Sequence, residues 1–270
     1  MRRTWWIYLI AVLGLIAVAA PFAWMFLGSF KTQGELLRVP PTWLPEAPTN
    51  QNYADLLSKA NFPQYFLNSA IVAIAVTAGN LIFCSMVGYS LAKLRFRGRN
   101  ALFVLVLATL MIPGVVTFVP LFVLVTNAGL ANSYPGLILP FLVSPFGVFL
   151  MRQFFAGLPD DLMDAGRVDG TSELGIFARI MLPLTKPALA TLGILTFLGS
   201  WNNFLWPLVI AQTEEMYTLP VALALYSTGQ NAQNYGLLMA GAVVVVVPVL
   251  VIFLVFQRHV TRGIAITGLK

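Results

Sequence analysis

Charge is scarce in this sequence, and so are the residues from which catalytic and metal sites are built. Only 10% of the 270 residues are Asp, Glu, Lys or Arg, against about 25% in soluble domains. One cysteine, Cys84, cannot form an internal disulfide, so the chain is no disulfide-stapled secreted module. One histidine, His259, sits among the last charges of the chain. A His/Cys metal cage or a Ser-His-Asp triad has nothing to be built from. No Gly-Lys pair occurs, so there is no Walker-type phosphate-cradling loop either. What is present is apolar: 59% hydrophobic residues and a mean hydropathy of +0.83. These values exclude a soluble globular enzyme and a disordered chain, and indicate an all-α polytopic membrane protein. The net charge of +6 then bears on topology and not on nucleic acid.

A spanning helix needs about 20 apolar residues. Stretches without Asp, Glu, Lys, Arg or His are Thr4–Phe30, Ala60–Ala92, Asn100–Met151, Pro187–Thr213 and Met216–Gln257. The third is too long for one helix and breaks at the loop-forming cluster Asn127-Ala128-Gly129. The polar stretch Ser227–Asn231 delays the start of the last span. Six transmembrane helices are expected, near 5–29, 66–92, 101–126, 135–152, 187–211 and 235–257. Between them lie an outer loop, 30–65, and a cytoplasmic loop, 153–186, with a cytoplasmic tail at 258–270. With the N-terminus inside, inner segments hold thirteen of the Lys and Arg residues, from Arg2 to Lys270. Outer segments hold only Lys31, Arg38 and Lys59. That bias predicts both termini in the cytoplasm. Ala17-Val18-Ala19 after Arg2-Arg3 resembles a signal-peptide cleavage site, but the apolar run continues to Phe30, so an uncleaved first helix is expected.

Apart from Arg152 at the inner end of the fourth, the spans contain no acid, base or histidine, the usual marks of proton relays and ion sites. They do contain Thr77, Asn80, Thr109, Thr117, Thr196, Ser200, Asn202 and Asn203. Amides and hydroxyls can bond a neutral, hydroxyl-rich solute. They can also hold helices together, and for the single hydroxyls that is the expected role. Trp201-Asn202-Asn203-Phe204-Leu205-Trp206-Pro207 is more specific. Two amides between indoles suit a sugar, while Trp206 near the outer end also fits an interfacial aromatic belt. Pro207 frees a backbone carbonyl there.

Residues 153–186 are too patterned for a plain connector. Asp160 and Asp161 after Pro159 suit a helix start. Leu158, Leu162, Ala165 and Val168 then recur at helical spacing. Gly170 stops that helix, and Ser172 caps a second with the apolar face Leu174, Phe177, Ala178 and Met181. Two short helices joined by a glycine turn are expected across the membrane face. Their apolar faces need a cover, either membrane or a partner.

The run Asp164-Ala165-Gly166-Arg167-Val168-Asp169-Gly170, continuing to Phe177, Ile180, Leu182-Pro183 and Pro187, resembles the EAA loop of permeases in binding-protein-dependent ABC importers. Asp164 stands where the family has Glu, and Gly166 where it has a second Ala; the glycine weakens the helix by about 1 kcal/mol. Ser29-Phe30-Lys31, Tyr89-Ser90-Leu91-Ala92, Phe96-Arg97-Gly98, the Trp201–Leu208 run and the tail Arg262–Lys270 resemble the maltose-transporter-like carbohydrate subfamily.

The resemblance implies a type I ABC importer permease fold. It implies a coupling helix seated on the ATPase, carried here by Asp164, Ala165, Gly166, Asp169, Gly170, Phe177 and Pro183. Asn80, Trp201, Asn202, Asn203 and Trp206 are the candidates for the substrate pathway. The implied partners are a second related permease, two copies of an ATPase subunit carrying ATP and Mg, an extracytoplasmic sugar-binding protein and membrane lipid. The chain itself would hold no cofactor or metal and catalyse nothing. The implied tail reaches between the ATPase subunits, and the Pro-rich segment from Lys31 to Asn61 meets the binding protein. Alternatives are import of glycerol phosphate or an amino sugar, a stand-alone secondary carrier, or a scaffold.

Overall fold

The computed structural model describes residues 5–59, 61–228 and 234–267. All regular structure among them is helical. The chain divides into two compact units, residues 1–66 with 219–250 and residues 67–218 with 251–270.

In the first unit, α1 (Trp5–Gly28) is apolar on every side and leads into two short helices, α2 (Gln33–Leu36) and α3 (Gln51–Lys59). The Ser29-Phe30-Lys31 corner organises them. Lys31 is buried, its ammonium 4.8 Å from the Trp24 ring centroid, donating to the carbonyl and hydroxyl of Thr42 and facing Glu35 at 3.8 Å. Asn52 donates to the carbonyls of Ser29 and Lys31 at 2.8 and 2.9 Å. Burying an ammonium is costly without such partners, so the segment expected as an outer loop is a folded cap. Gly28 sits where a Cβ would lie 2.2 Å from the Met239 sulfur.

The second unit begins within α4 (Phe62–Lys93), which starts four residues before the expected 66. A π turn at Asn80–Cys84 interrupts its regular ladder. The expected third span, 101–126, is not one helix: α5 (Arg99–Leu110) and α6 (Gly114–Asn127) meet at 101°. Pro113 stands at the break with φ −59° and ψ 133°; it lacks an amide proton and disfavours a helical conformation at the residue before it. The fourth, 135–152, is likewise split into α7 (Tyr134–Phe141) and α8 (Pro145–Ala156), bent by 42°. Ser144 caps α8 by accepting from the Gly147 amide, with Pro145 at the first helical position.

Next come α9 (Asp161–Val168) and α10 (Glu173–Leu184), the latter meeting α11 (Lys186–Trp201) at 81°. The expected fifth span, 187–211, ends early at Trp201, and α12 (Leu205–Ile210) follows after a break. Pro207 lies in the first turn of α12, where its missing amide proton costs nothing. Helices α13 (Leu219–Thr228) and α14 (Tyr235–Thr267) complete the order. Thus, among the described residues, α1, α4 and α14 are each long and apolar enough to cross a membrane, and the three bent pairs would bring the number to at most six if each were one span. Helix α14 runs through the expected tail as far as Thr267. Arg2, Arg3 and residues 229–233 and 268–270 lie outside the described residues.

Glycines let α4 and α8 meet backbone to backbone. A Cβ at Gly88 would lie 2.7 Å from the Met151 Cβ and 2.8 Å from the Arg152 nitrogen, and one at Gly147 would lie 2.8 Å from the Cys84 sulfur. Around this seam Tyr89, Met151, Phe155, Ile176, Phe177 and Met181 form the main core.

Candidate coupling surface and translocation cavity

The α9–α10 pair is built as its sequence predicts. Asp169 ends α9, and Gly170 takes φ +76°, a left-handed backbone that glycine adopts without strain. The Thr171 amide then donates to the Gly166 carbonyl at 2.9 Å and the Gly170 amide to Arg167 at 3.0 Å, the paired bonds of a Schellman end. The Ser172 hydroxyl accepts from the Gly175 amide and starts α10. Pro183 lies exposed in the last turn of α10.

The buried faces differ from the expected ones. On α9 the core side is Met163 and Gly166; Leu162, Ala165 and Val168 face outward, Val168 at 88% exposure. On α10, Ile176, Phe177 and Met181 are buried, while Leu174 and Ala178 are exposed. Gly166 is explained by proximity: a Cβ there would lie 2.9 Å from the Ile180 Cδ1 and 3.1 Å from the Ile176 Cγ1. Its small size lets α9 lie close on α10 and so offsets its weak helix propensity.

Charges lock the pair in place. Arg167 donates to Glu173 at 2.7 Å and to Asp164 at 2.8 Å. Hydrogen bonding from Arg167 holds the Glu173 carboxyl below the usual range and keeps the guanidinium protonated. The Lys93 ammonium at the end of α4, 5% exposed, donates to the Leu158 carbonyl and the Asp160 carboxylate, each at 2.5 Å. Its hydrogen bond and charge lower the Asp160 pKa. This tie was not legible beforehand, because Lys93 and Asp160 are far apart in sequence and Asp160 reads locally as a helix start. The Asp160 side chain makes no capping bond.

Deeper in the same unit lies a cavity of about 470 Å³ between α4, α6, the α7–α8 break and the ends of α11 and α12. Of the sequence candidates it brings together Asn80, Asn203 and Trp206; Trp201 and Asn202 do not line it. Asn80 is buried and occupied: its amide donates to the Phe141 carbonyl at 2.7 Å and to Val76 at 3.1 Å, and its oxygen accepts from Ser144 at 2.6 Å. It pins the α7–α8 break to the π turn of α4. Ser144 was missed, although Ser-Pro inside an apolar run signals a helix start. Trp206 is a buried wall, its indole nitrogen donating to the Gly136 carbonyl at 3.1 Å between the rings of Phe118 and Phe141. Trp201 is buried and stacked on Phe197, and the Asn202 amide returns to the Leu198 carbonyl at 2.9 Å. Among the described residues no cluster could hold a metal ion.

Long apolar helices, a charged helix pair at one end and an uncharged cavity within define a membrane-embedded transport subunit. The chain belongs to the family of binding-protein-dependent transport system inner membrane components, which it matches over residues 84–266. It is 45% identical to the arabinooligosaccharides transport system permease protein of Bacillus subtilis, over 93% of this chain and 90% of that one. It is 37% identical to the diacetylchitobiose uptake system permease protein of Streptomyces coelicolor, over 94% and 85%. The sn-glycerol-3-phosphate transport system permease protein of Pectobacterium atrosepticum is 31% identical, over 95% and 94%. The fold matches a crystal structure of a bacterial ABC transporter involved in import of the acidic polysaccharide alginate, with a TM-score of 0.86, 24% identity and coverage of 95% and 96%. The chain is a multi-pass permease subunit of the inner (plasma) membrane.

Proposed function

We propose that this chain forms half of the translocation pathway of an ATP-driven importer for a neutral sugar or oligosaccharide. A second, related permease supplies the other half. Two copies of an ATPase subunit bind ATP and Mg and perform the hydrolysis. An extracytoplasmic binding protein delivers the solute, and both termini of this chain face the cytoplasm. The observation that carries the reading is the outward apolar set Leu162, Val168 and Leu174 on a pair of helices otherwise locked to the core. Apolar residues held rigidly outward on a charged surface suit a cleft on a partner. ATP-driven closure of the ATPases would move α9 and α10 as a rigid body, and α4 with them through Lys93. The uncharged cavity favours a neutral solute over glycerol phosphate.

The test is ATP hydrolysis by the complex purified through this chain, in lipid nanodiscs with its binding protein and candidate sugars. Sugar-stimulated hydrolysis is expected, and Gly170→Val should abolish the stimulation with the complex still assembled. A bulky β-branched residue at φ +76° is strained, so α9 would be misaligned on its partner. If no ATPase co-purifies, the importer reading is wrong.

A further inference from the structure

We propose that Arg99 and Arg152 form a site for the phosphodiester headgroup of an anionic phospholipid, at the membrane face that carries α9 and α10. The inference stands apart from the importer reading, since it needs only that the chain lies in a membrane.

The site is read from charges that the chain leaves unanswered. Lys93 is tied to Asp160, and Arg167 to Asp164 and Glu173. Arg95 shares a cleft with these groups, which places the end of α4 and the loop after it beside α9. Arg97, Arg99 and Arg152 follow in the same unit. Among the described residues, none of these four arginines has a carboxylate within ion-pair distance.

Arg152 is the sharpest case. It lies on α8 against α5, its guanidinium carbon 3.8 Å from the centroid of the Phe103 ring. Phe103 is stacked in turn on Phe149, at 6.4 Å and 9°. The rings fix where the guanidinium lies, and they supply a π face but no counter-charge. Its Nε atom is shut off from solvent and has no hydrogen-bond partner. A guanidinium does not shed its proton. Within a membrane such a group pairs with an acid or with backbone carbonyls, and among the described residues neither answers Arg152. Arg99 opens α5 four residues before Phe103, so the two share one face of the helix. One Arg99 nitrogen donates to the Leu94 carbonyl at 3.2 Å, which leaves the rest of its fork free. The two arginines thus bracket the Phe103 ring, one over its face and one a helical turn toward the loop. Four residues of helix rise about 6 Å, so Arg152 lies about one turn below the loop. Phe96 stands in that loop between Arg95 and Arg97 and is 42% exposed, an aromatic among cations of the kind found at a membrane interface.

The surroundings select the occupant. Two guanidinium forks suit the free oxygens of a phosphodiester. Beyond Phe103, Val104 and Leu105 leave α5 open and apolar, at 62% and 60% exposure. Acyl chains cover such a surface, and a free phosphate does not. The headgroup must also keep its negative charge, as phosphatidylglycerol does and phosphatidylcholine, with its own cation, does not.

The experiment uses the complex purified through this chain, in nanodiscs of phosphatidylcholine doped with a phosphatidylglycerol that carries a diazirine high on one acyl chain. Cross-linked peptides are mapped by mass spectrometry. Label is expected on α5 and α8, within residues 99–106 and 149–153. Unlabelled phosphatidylglycerol should compete about fivefold better than phosphatidylcholine, the worth of one arginine near a charged membrane surface. Inorganic phosphate should not compete. Arg152→Met should lower the label about fivefold, and Arg152→Met with Arg99→Gln roughly 25-fold, while Arg152→Lys keeps the charge and should retain most of it. Equal competition by the two lipids reduces the site to ordinary lipid contact and overturns the proposal. Competition by inorganic phosphate puts a free anion there and overturns it too. No label on this face of the wild type means that another subunit covers the arginines, which is a third way for the proposal to fail. Should Arg152→Met not assemble, Arg99→Gln alone and the competition on wild-type protein decide.

Discussion

Helix α11 is broken at both ends, and the two breaks are built differently. At the Thr185 end the joint is buried, its hydroxyl donates to the Leu182 carbonyl, and the neighbouring helices share one aromatic core. At the Asn202–Phe204 end the backbone opens onto a cavity lined there by Thr196, Ser200 and Asn203. The first joint is packed on all sides by that core, and the second faces open space on its cavity side. In the importer proposed above, force would enter through the first and solute would pass the second.

The largest effect should come from breaking the stiff end from within. Met163→Asp puts an unpaired carboxylate into a site that is 2% exposed, at a cost of several kcal/mol. Val168→Asp, five residues on but exposed, should leave thermal unfolding of the complex within about 0.5 kcal/mol and instead weaken ATPase association. Equal unfolding temperatures for the two variants would erase the distinction between inner and outer faces. A smaller effect is expected at the tie between α4 and α9. Lys93→Met fills the same space without the charge, so the fold should persist while sugar moved per ATP falls several-fold. Asp160→Asn should do less, since Lys93 keeps its bond to the Leu158 carbonyl. The smallest effect is that of pH. The folded pKa values of Asp160 and Glu173 are lowered, so their contribution is present above the ordinary carboxylate range and is lost only as the pH falls through those lowered values. Coupling measured as sugar per ATP should therefore be flat from pH 8 to pH 5; a decline above pH 5 would mean that these pairs do not hold the loop.

The stiff end was largely legible in the sequence, because caps are local chemistry. Gly170 and Ser172 act through backbone groups within three or four residues of themselves, and the helix pair stands where they put it. The inner face of α9 was not legible. Leu162, Ala165 and Val168 make as good an apolar stripe as Met163 and Gly166, and only the position of Ile176 and Ile180 decides between them. The broken spans were half legible: Pro113 and Ser144-Pro145 announce breaks, but a hydropathy reading runs over them because their neighbours are all apolar. The cavity was least legible. A back-bonded hydroxyl and an open one are the same letter in sequence, and Thr77 and Thr196 differ only in what the fold brings near them.

Helix α1 holds a different lesson. Over its membrane-length window nothing is buried by the rest of the chain. Its 24 residues rise about 36 Å, somewhat more than the roughly 30 Å of a hydrocarbon core. Within the described residues only its C-terminal end is held, by Gly28 against Met239 and by Trp24 against Trp43, so the bilayer bears on the inclination of the rest. A thinner membrane would lean it over and a thicker one would stand it upright. Through Ser29 and Lys31 that lean reaches the folded cap beside it. The acyl-chain length of the surrounding lipid is thereby a control on the attitude of the cap, and reconstitution in lipids of different thickness would not be an indifferent choice.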